Sequence, residues 1–469
     1  MKKLMKYLLG IMLFSVFHLY DAFCQTDDLL DRLDNQLSAY YTSFGELMIR
    51  RDQAMSAYRP DWVDHIRLQT AIEDYNQFPN TNRQSNSEMA GVIFYSFSSD
   101  TLYEWLLTYK GIGFYSTVNI SPEELTELER DIKCSFSSGA SVLAYVREKR
   151  GAEIDKISSD TLDYEYYNKK ICNVLFPEAL MQAISENDIF YINIIPALNI
   201  ASFPLYCLRP YGNSSYLIDS LCINIGFSVD HFIDNTGLYI DRGLGPNSVF
   251  SPLAPLLIGN PSIGFTCKNS YLALPGAESE VKKVAALLGT KAFTGKTATK
   301  DTLLKLLHKS DFIYLATHGY ADTVAPLKSF VLLASDNGDS CEYWTAGEIQ
   351  NDTMTEDIVV LSACQTGLGM THTAGIIGLS RAFIIAKAGN VVMSLWNVDD
   401  SATKDLMLLF VKELFIEHDF FPAANLRQAM LEYKKTDDDP AHWGAFISMG
   451  YSYPPVTAKR MEIKSKINC

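Results

Sequence analysis

Two residues of this chain are suited to acyl-transfer chemistry if they meet: His318, in Leu315-Ala-Thr-His318-Gly319, and Cys364, in Val360-Leu-Ser-Ala-Cys364-Gln-Thr-Gly367. A cysteine attacks as its thiolate. A free thiol with a pKa of about 8.5 supplies little of that form at neutral pH, so it needs a base beside it. An imidazole can take the proton and later hand it to a leaving amine. Gly319 adds a third element, because a residue without Cβ can turn its N–H toward a scissile carbonyl and help form an oxyanion hole. Taken singly, a histidine is more often a satisfied structural residue and a cysteine a buried hydrophobe, so the chemistry depends on their being brought together.

The elements that must do this are short and apolar. Segments 311–316, 357–362 and 390–396 have the length and β-branched content of buried strands. As parallel neighbours joined by helical crossovers, they bring His318 and Cys364 out at the carboxyl edge of one sheet, where open α/β folds bind ligands. Asp399 and Asp400 follow the third segment at the same edge. Asp399 reads equally as a selector for a basic substrate side chain and as a helix cap; Asp400 reads as the cap of a helix over 402–415. Trp396 reads as pocket wall or core. Stretches 320–328 and 365–373 read as loops shaping a substrate groove, and 375–388 as a buried crossover helix.

With Gly375-Ile-Ile-Gly-Leu-Ser-Arg381-Ala-Phe383, Ser394-Leu-Trp396-Asn-Val-Asp399 and Pro440-Ala-His-Trp443 added to the two motifs above, the chain resembles the CHAT family of caspase-like and separase-like cysteine peptidases. Weaker similarity reaches back to about Met89. The resemblance implies His318 as general acid/base and Cys364 as nucleophile, and caspase-type enzymes carry the histidine roughly 50 residues upstream of the cysteine. Many relatives have Glu after the cysteine, whereas this chain has Gln365, which weakens an acidic specificity contact. Gln365 stands with Asp399 and Trp396 as a substrate-pocket candidate.

The implied fold is α/β: a caspase-like sheet flanked by helices, with a degenerate N-terminal half at 89–250 and an active half at 251–456. A helical segment and linker at 25–88 precede it, and a polar tail at 457–469 follows. The implied function is a cysteine endopeptidase cutting a protein or peptide substrate by way of a thioester, without cofactor or metal, and with room for an activating protein partner. The alternative on the same fold is a non-catalytic protein-interaction module.

A formal charge of -15 argues against a general nucleic-acid binder, which needs clustered Lys and Arg. The nine cysteines form no C-x-x-C pair and have no histidine spacing suited to zinc. Residues 1–24 read as a secretory signal: Lys2, Lys3 and Lys6, an apolar run from Tyr7 to Phe17, and Ala22-Phe23-Cys24 before a cut at Gln25. That predicts export to the periplasm or beyond, with no membrane span after cleavage. Export permits disulfides, yet Cys364 must stay reduced: either it has no partner in reach or oxidation regulates it. Cys172, Cys207 and Cys222 read as buried hydrophobes.

Leu30, Leu33, Leu37, Tyr40, Phe44 and Leu47 predict an amphipathic helix over 28–50, and a second helix is expected over 62–75. Relatives by resemblance often carry tetratricopeptide arrays here, but no repeat of that period is visible. Strands are expected at 91–97, 102–109, 112–118, 189–195 and 256–259. Ser121-Pro122-Glu123-Glu124 has the pattern of a capping box. Helices are expected over 164–184, over 277–288 with a stop at Gly289, and over 299–308. Thr294-Gly295-Lys296-Thr297 fails as a phosphate loop, because its glycine spacing is wrong and a helix is expected to lead into it.

Overall fold

The computed structural model describes residues 28–43, 64–77, 89–136, 164–212, 215–233, 254–267, 271–338, 340–354, 358–362, 369–373, 375–396, 398–417 and 421–450. Residues 1–24, most of the linker and the 457–469 tail lie outside them, as do Cys364 and Gln365.

The chain divides into two units, Met1–Thr70 and Ala71–Cys469. In the first, helix 28–43 buries Leu33, Leu37 and Tyr40 of the expected stripe; Phe44 and Leu47 lie outside the described residues. The backbone N–H and Nδ1 of His65 meet the Asp34 carboxylate at 2.8 and 2.7 Å. In the second unit the Asn76 amide bonds both N–H and C=O of Ala90.

The strands of the second unit are β1 Met89–Ser98, β2 Thr101–Thr108, β3 Gly111–Asn119, β4 Ile189–Ile195, β5 Cys222–Ile225, β6 Pro255–Pro261, β7 Phe293–Gly295 and β8 Phe312–Ala316. After these come β9 Gly319–Tyr320, β10 Phe330–Ala334, β11 Cys341–Thr345, β12 Ile358–Leu361, β13 Gly369–His372, β14 Gly375–Gly378, β15 Asn390–Ser394 and β16 Phe446–Gly450. An 11-stranded sheet runs β3-β2-β1-β4-β5-β16-β15-β12-β8-β6-β7. Strands β1 to β3 form an antiparallel meander, and β1, β4 and β5 are parallel. Strands β6, β7, β8, β12 and β15 form a second parallel set. Between the sets β16 runs parallel to β5 and antiparallel to β15, so the two sets point in opposite directions. The fold is thus α/β, a large central sheet flanked by helices. Every residue of β8, β12 and β15 is buried, which is why these strands read as continuous apolar runs rather than alternating ones.

Local signals act as expected at several points. Ser121 and Glu124 exchange backbone-to-side-chain bonds of 2.8 and 3.1 Å at the start of helix Pro122–Phe136, which buries Leu125 and Ile132. Gly289, at φ +64°, follows helix Pro275–Leu287. Three expectations are corrected. The stretch 164–184 holds two helices, Tyr164–Leu175 and Glu178–Glu186, because Pro177 in extended backbone separates them. The stretch 375–388 opens as β14, paired with β13 in a hairpin, before the buried helix Leu379–Ile385; the 365–373 loop therefore ends in a strand. A strand, β7, leads into Thr294-Gly295-Lys296-Thr297, not a helix. Among the described residues no helix is long and apolar enough to cross a membrane.

Candidate active site

Strands β8 and β12 are adjacent and parallel, in a register that sets Leu315 beside Leu361. His318 stands three residues past Leu315, and Cys364 three residues past Leu361 in the sequence; Cys364 itself lies outside the described residues. His318 is half-buried. Its Nε2 lies 2.7 Å from the carbonyl oxygen of Leu272, and its ring sits against that of Tyr271, centroids 5.3 Å apart. A carbonyl only accepts, so Nε2 carries the proton, and in the neutral ring Nδ1 keeps the lone pair.

The backbone around His318 is tied to a small three-stranded sheet, β11-β10-β9. Leu332 donates its N–H to the His318 carbonyl at 2.8 Å, and the Thr317 hydroxyl donates to the Leu332 carbonyl at 2.7 Å. Gly319 and Val331 therefore face each other as a non-hydrogen-bonded pair, and the ladder leaves the Gly319 N–H unused.

Asp399 is the N-cap of helix Asp400–Lys412, accepting from the N–H groups of Ser401 and Ala402 at 2.9 and 3.3 Å. The Ser401 hydroxyl and these N–H groups hold its carboxyl below the usual range. The cap is thus one residue earlier than the expected Asp400. The Asp400 carboxylate instead lies over Gly276, where an added Cβ would come within 2.2 Å of its Oδ2, at the start of helix Pro275–Leu287. An anion is favoured there by the helix dipole. Trp396 is half-buried: its Nε1 donates to the Ala441 carbonyl at 3.0 Å, and its ring stacks on Phe136 with centroids 5.7 Å apart.

Glu280 belongs to no sequence motif. It is buried on helix Pro275–Leu287 and accepts a 2.6 Å hydrogen bond from the Tyr314 hydroxyl on β8. Burial pushes its carboxyl up to about 7, against the pull of the nearby Ser362 and Tyr314 hydroxyls. Ser362 is two residues before Cys364, so this carboxyl lies beneath the strand end that leads to the candidate nucleophile. The available signal was spacing: Glu280 is four residues before Val284, on the helix's apolar face.

A family model described as the CHAT domain matches residues 166–451, more than half of the chain. The chain belongs to the CHAT domain family. The Homo sapiens protein named Tetratricopeptide repeat protein 28 is 26% identical over an alignment of 533 residues, covering 87% of this chain and 21% of its own length. Its Mus musculus counterpart is 25% identical over 256 residues, covering 45% of this chain and 10% of its own. The chain thus spans only a small part of these relatives. Among solved structures, a Saccharomyces cerevisiae separase–securin complex aligns at TM-score 0.48 and 11% identity, covering 83% of this chain and 31% of that one. The Arg-specific cysteine proteinase gingipain R aligns at TM-score 0.40 and 10% identity, covering 81% and 80%.

Within the CHAT domain no group of three or more His, Cys, Asp or Glu side chains converges as metal ligands would, among the described residues. The described cysteines are free thiols. Cys172, Cys207 and Cys222 are buried, and burial pushes the Cys172 thiol up to about 12.

Proposed function

We propose that this CHAT domain is a cysteine endopeptidase in which His318 and Cys364 form the catalytic pair. The observation that carries the reading is the parallel register of β8 and β12, whose carboxyl ends lead to the two residues after equal intervals. The bond from Nε2 to Leu272 supports it by fixing the tautomer in which Nδ1 can accept the thiol proton. The Cys364 thiolate would then attack the scissile carbonyl, and the oxyanion would be met by the Gly319 N–H that the ladder leaves unused. The imidazolium protonates the departing amine, and water hydrolyses the thioester with the imidazole again as base. Asp399 keeps a place at the rim as an exposed carboxylate, although its cap bonds compete with a substrate cation. Residues 1–24 support export of the enzyme.

Alkylation rates test the pairing directly. Cys364 is expected to react faster than any other cysteine and to stay fast below pH 8, as a paired thiolate would. Cys364→Ala is expected to abolish cleavage of a peptide library. An ordinary titration of Cys364 together with an untouched library overturns the reading.

A second reading, a non-catalytic interaction module, draws on the relatives' description as tetratricopeptide repeat proteins and on the helices at 28–43 and His65–Gln77. It expects Cys364→Ala to leave the biological output unchanged and deletion of residues 26–88 to remove it.

A further inference from the structure

The segment that holds His318 is itself anchored beside a pair of cysteines. A short 3-10 turn, Phe265–Cys267, precedes Tyr271 and Leu272, and the Tyr271 N–H donates to the Cys267 carbonyl at 3.1 Å. Across from the turn, Cys341 opens β11 opposite Ala334 of β10. The two backbones touch: a Cβ added to Gly264 would lie 2.4 Å from the Ser340 carbonyl oxygen. The side chains of Cys267 and Cys341 lie near enough to act on each other's acidity, as do those of Tyr271 and Tyr343 of β11. One thiol pair therefore sits where the strap over His318 meets the sheet that carries the His318 backbone.

We propose that Cys267 and Cys341 are a reversible disulfide clasp that fastens the Tyr271–Leu272 strap onto His318, so that oxidation favours the aligned imidazole. The regulatory half of this proposal rests on the peptidase reading above; the disulfide does not. Although burial pushes Cys267 up, hydrogen bonds from Cys341, Thr266 and Tyr343 outweigh it and leave that thiol below its ordinary value. Burial, followed by Cys267 itself, pushes Cys341 up to about 11. Either sulfur can open the exchange, and Cys267 serves as the example. Its thiolate displaces one thiolate from a small-molecule disulfide such as oxidised glutathione, forming a mixed disulfide. Cys341 then gives up its proton and displaces the second glutathione thiolate, so two protein thiols are oxidised as one glutathione disulfide is reduced to two thiols. An exported chain meets such oxidants. Burial holds the thiols of Cys134, Cys172 and Cys207 above their ordinary values, which disfavours the same exchange there.

The test uses the purified full chain poised in graded ratios of reduced to oxidised glutathione, with free thiols then alkylated. A peptide bridging Cys267 and Cys341 is expected in the non-reducing digest at mildly oxidising poise. With it, amide exchange over 271–274 should slow by about tenfold as the strap loses its local opening, and peptide cleavage should rise. Cys267→Ser and Cys341→Ser should each abolish all three responses while keeping the reduced rate of cleavage. Failure of the two thiols to bridge, bridging of either to Cys364, or bridging without slower exchange overturns the clasp. Bridging with slower exchange but unchanged or lower cleavage overturns its control of activity. A bridge with slower exchange and no cleavage at any poise supports the clasp and sinks the peptidase reading instead.

Discussion

A buried glutamate meets each half of the large sheet, and the two differ in where their surroundings lead. In the N-terminal half Glu104 on β2 lies directly between Tyr95 on β1 and Ser116 on β3. Tyr95 is 3.1 Å from one carboxyl oxygen and 2.5 Å from the Leu175 carbonyl, while Ser116 donates to the other oxygen at 3.0 Å. A phenol has a single proton, so a neutral Glu104 that donates to Tyr95 while Tyr95 donates to Leu175 satisfies every group. Burial pushing Glu104 up to about 8 agrees with that protonated form. In the C-terminal half Glu280 also meets a tyrosine, but it reaches from a helix to β8 and lies beside Ser362, where the chain leaves the sheet for Cys364. One carboxyl is closed within regular strands; the other lies at the strand end that leads to Cys364. The same side-chain chemistry is therefore enclosed by the sheet in one half and set at a strand end in the other.

The largest effects should separate the halves by activity. His318→Ala is expected to lower peptide cleavage by about 10² to 10⁴ fold, whereas Glu104→Gln should leave kcat/KM unchanged. Equal losses from the two would erase the distinction. Next in size are the tyrosines. Tyr95→Phe and Tyr314→Phe should each cost about 1–3 kcal/mol in urea unfolding, because each strips a partner from a buried acceptor. Only Tyr314→Phe should also lower kcat.

Acidity offers a finer comparison. A folded carboxyl that keeps its proton where the unfolded chain has lost it contributes its full stability below the ordinary value of 4.5 and loses it as pH rises toward the folded value. Each group should thus erode stability by up to about 1.4 kcal/mol per pH unit. Glu104→Gln should flatten that slope up to about pH 8 and Glu280→Gln only up to about pH 7, in denaturant titrations at stepped pH. The smallest change is expected at the rim: Asp399→Ala should cost about 1 kcal/mol through the lost cap. A simultaneous loss of preference for basic side chains in cleavage profiling would give Asp399 a pocket role as well.

What the sequence made legible follows from how local each signal is. Strands β8, β12 and β15 were readable because their apolar runs are short and sharply bounded, and Ser121 because a capping box is contained in four residues. Gly375-Ile-Ile-Gly reads as helix because a fully buried strand and a buried helix share the same unbroken apolar pattern. Glu280 was hidden because its burial depends on Tyr314, 34 residues away. The pairing of His318 with Leu272 and the closeness of Cys267 to Cys341 likewise join distant segments, which periodicity does not report. Asp399 took the cap from Asp400 because either carboxylate can serve, and a helix boundary one residue off reverses their roles.

The placement of β16 has a consequence for how the molecule is made. Residues 446–450 are the wedge between β5 and β15, so a nascent chain still short of them offers two unpaired strand flanks, each a template for the wrong neighbour. The two halves can be joined only after the ribosome has delivered β16, which makes completion of the sheet later than either parallel set, with long loops to close. A polypeptide truncated just before Phe446 is therefore expected to accumulate as aggregates that a chaperone retains.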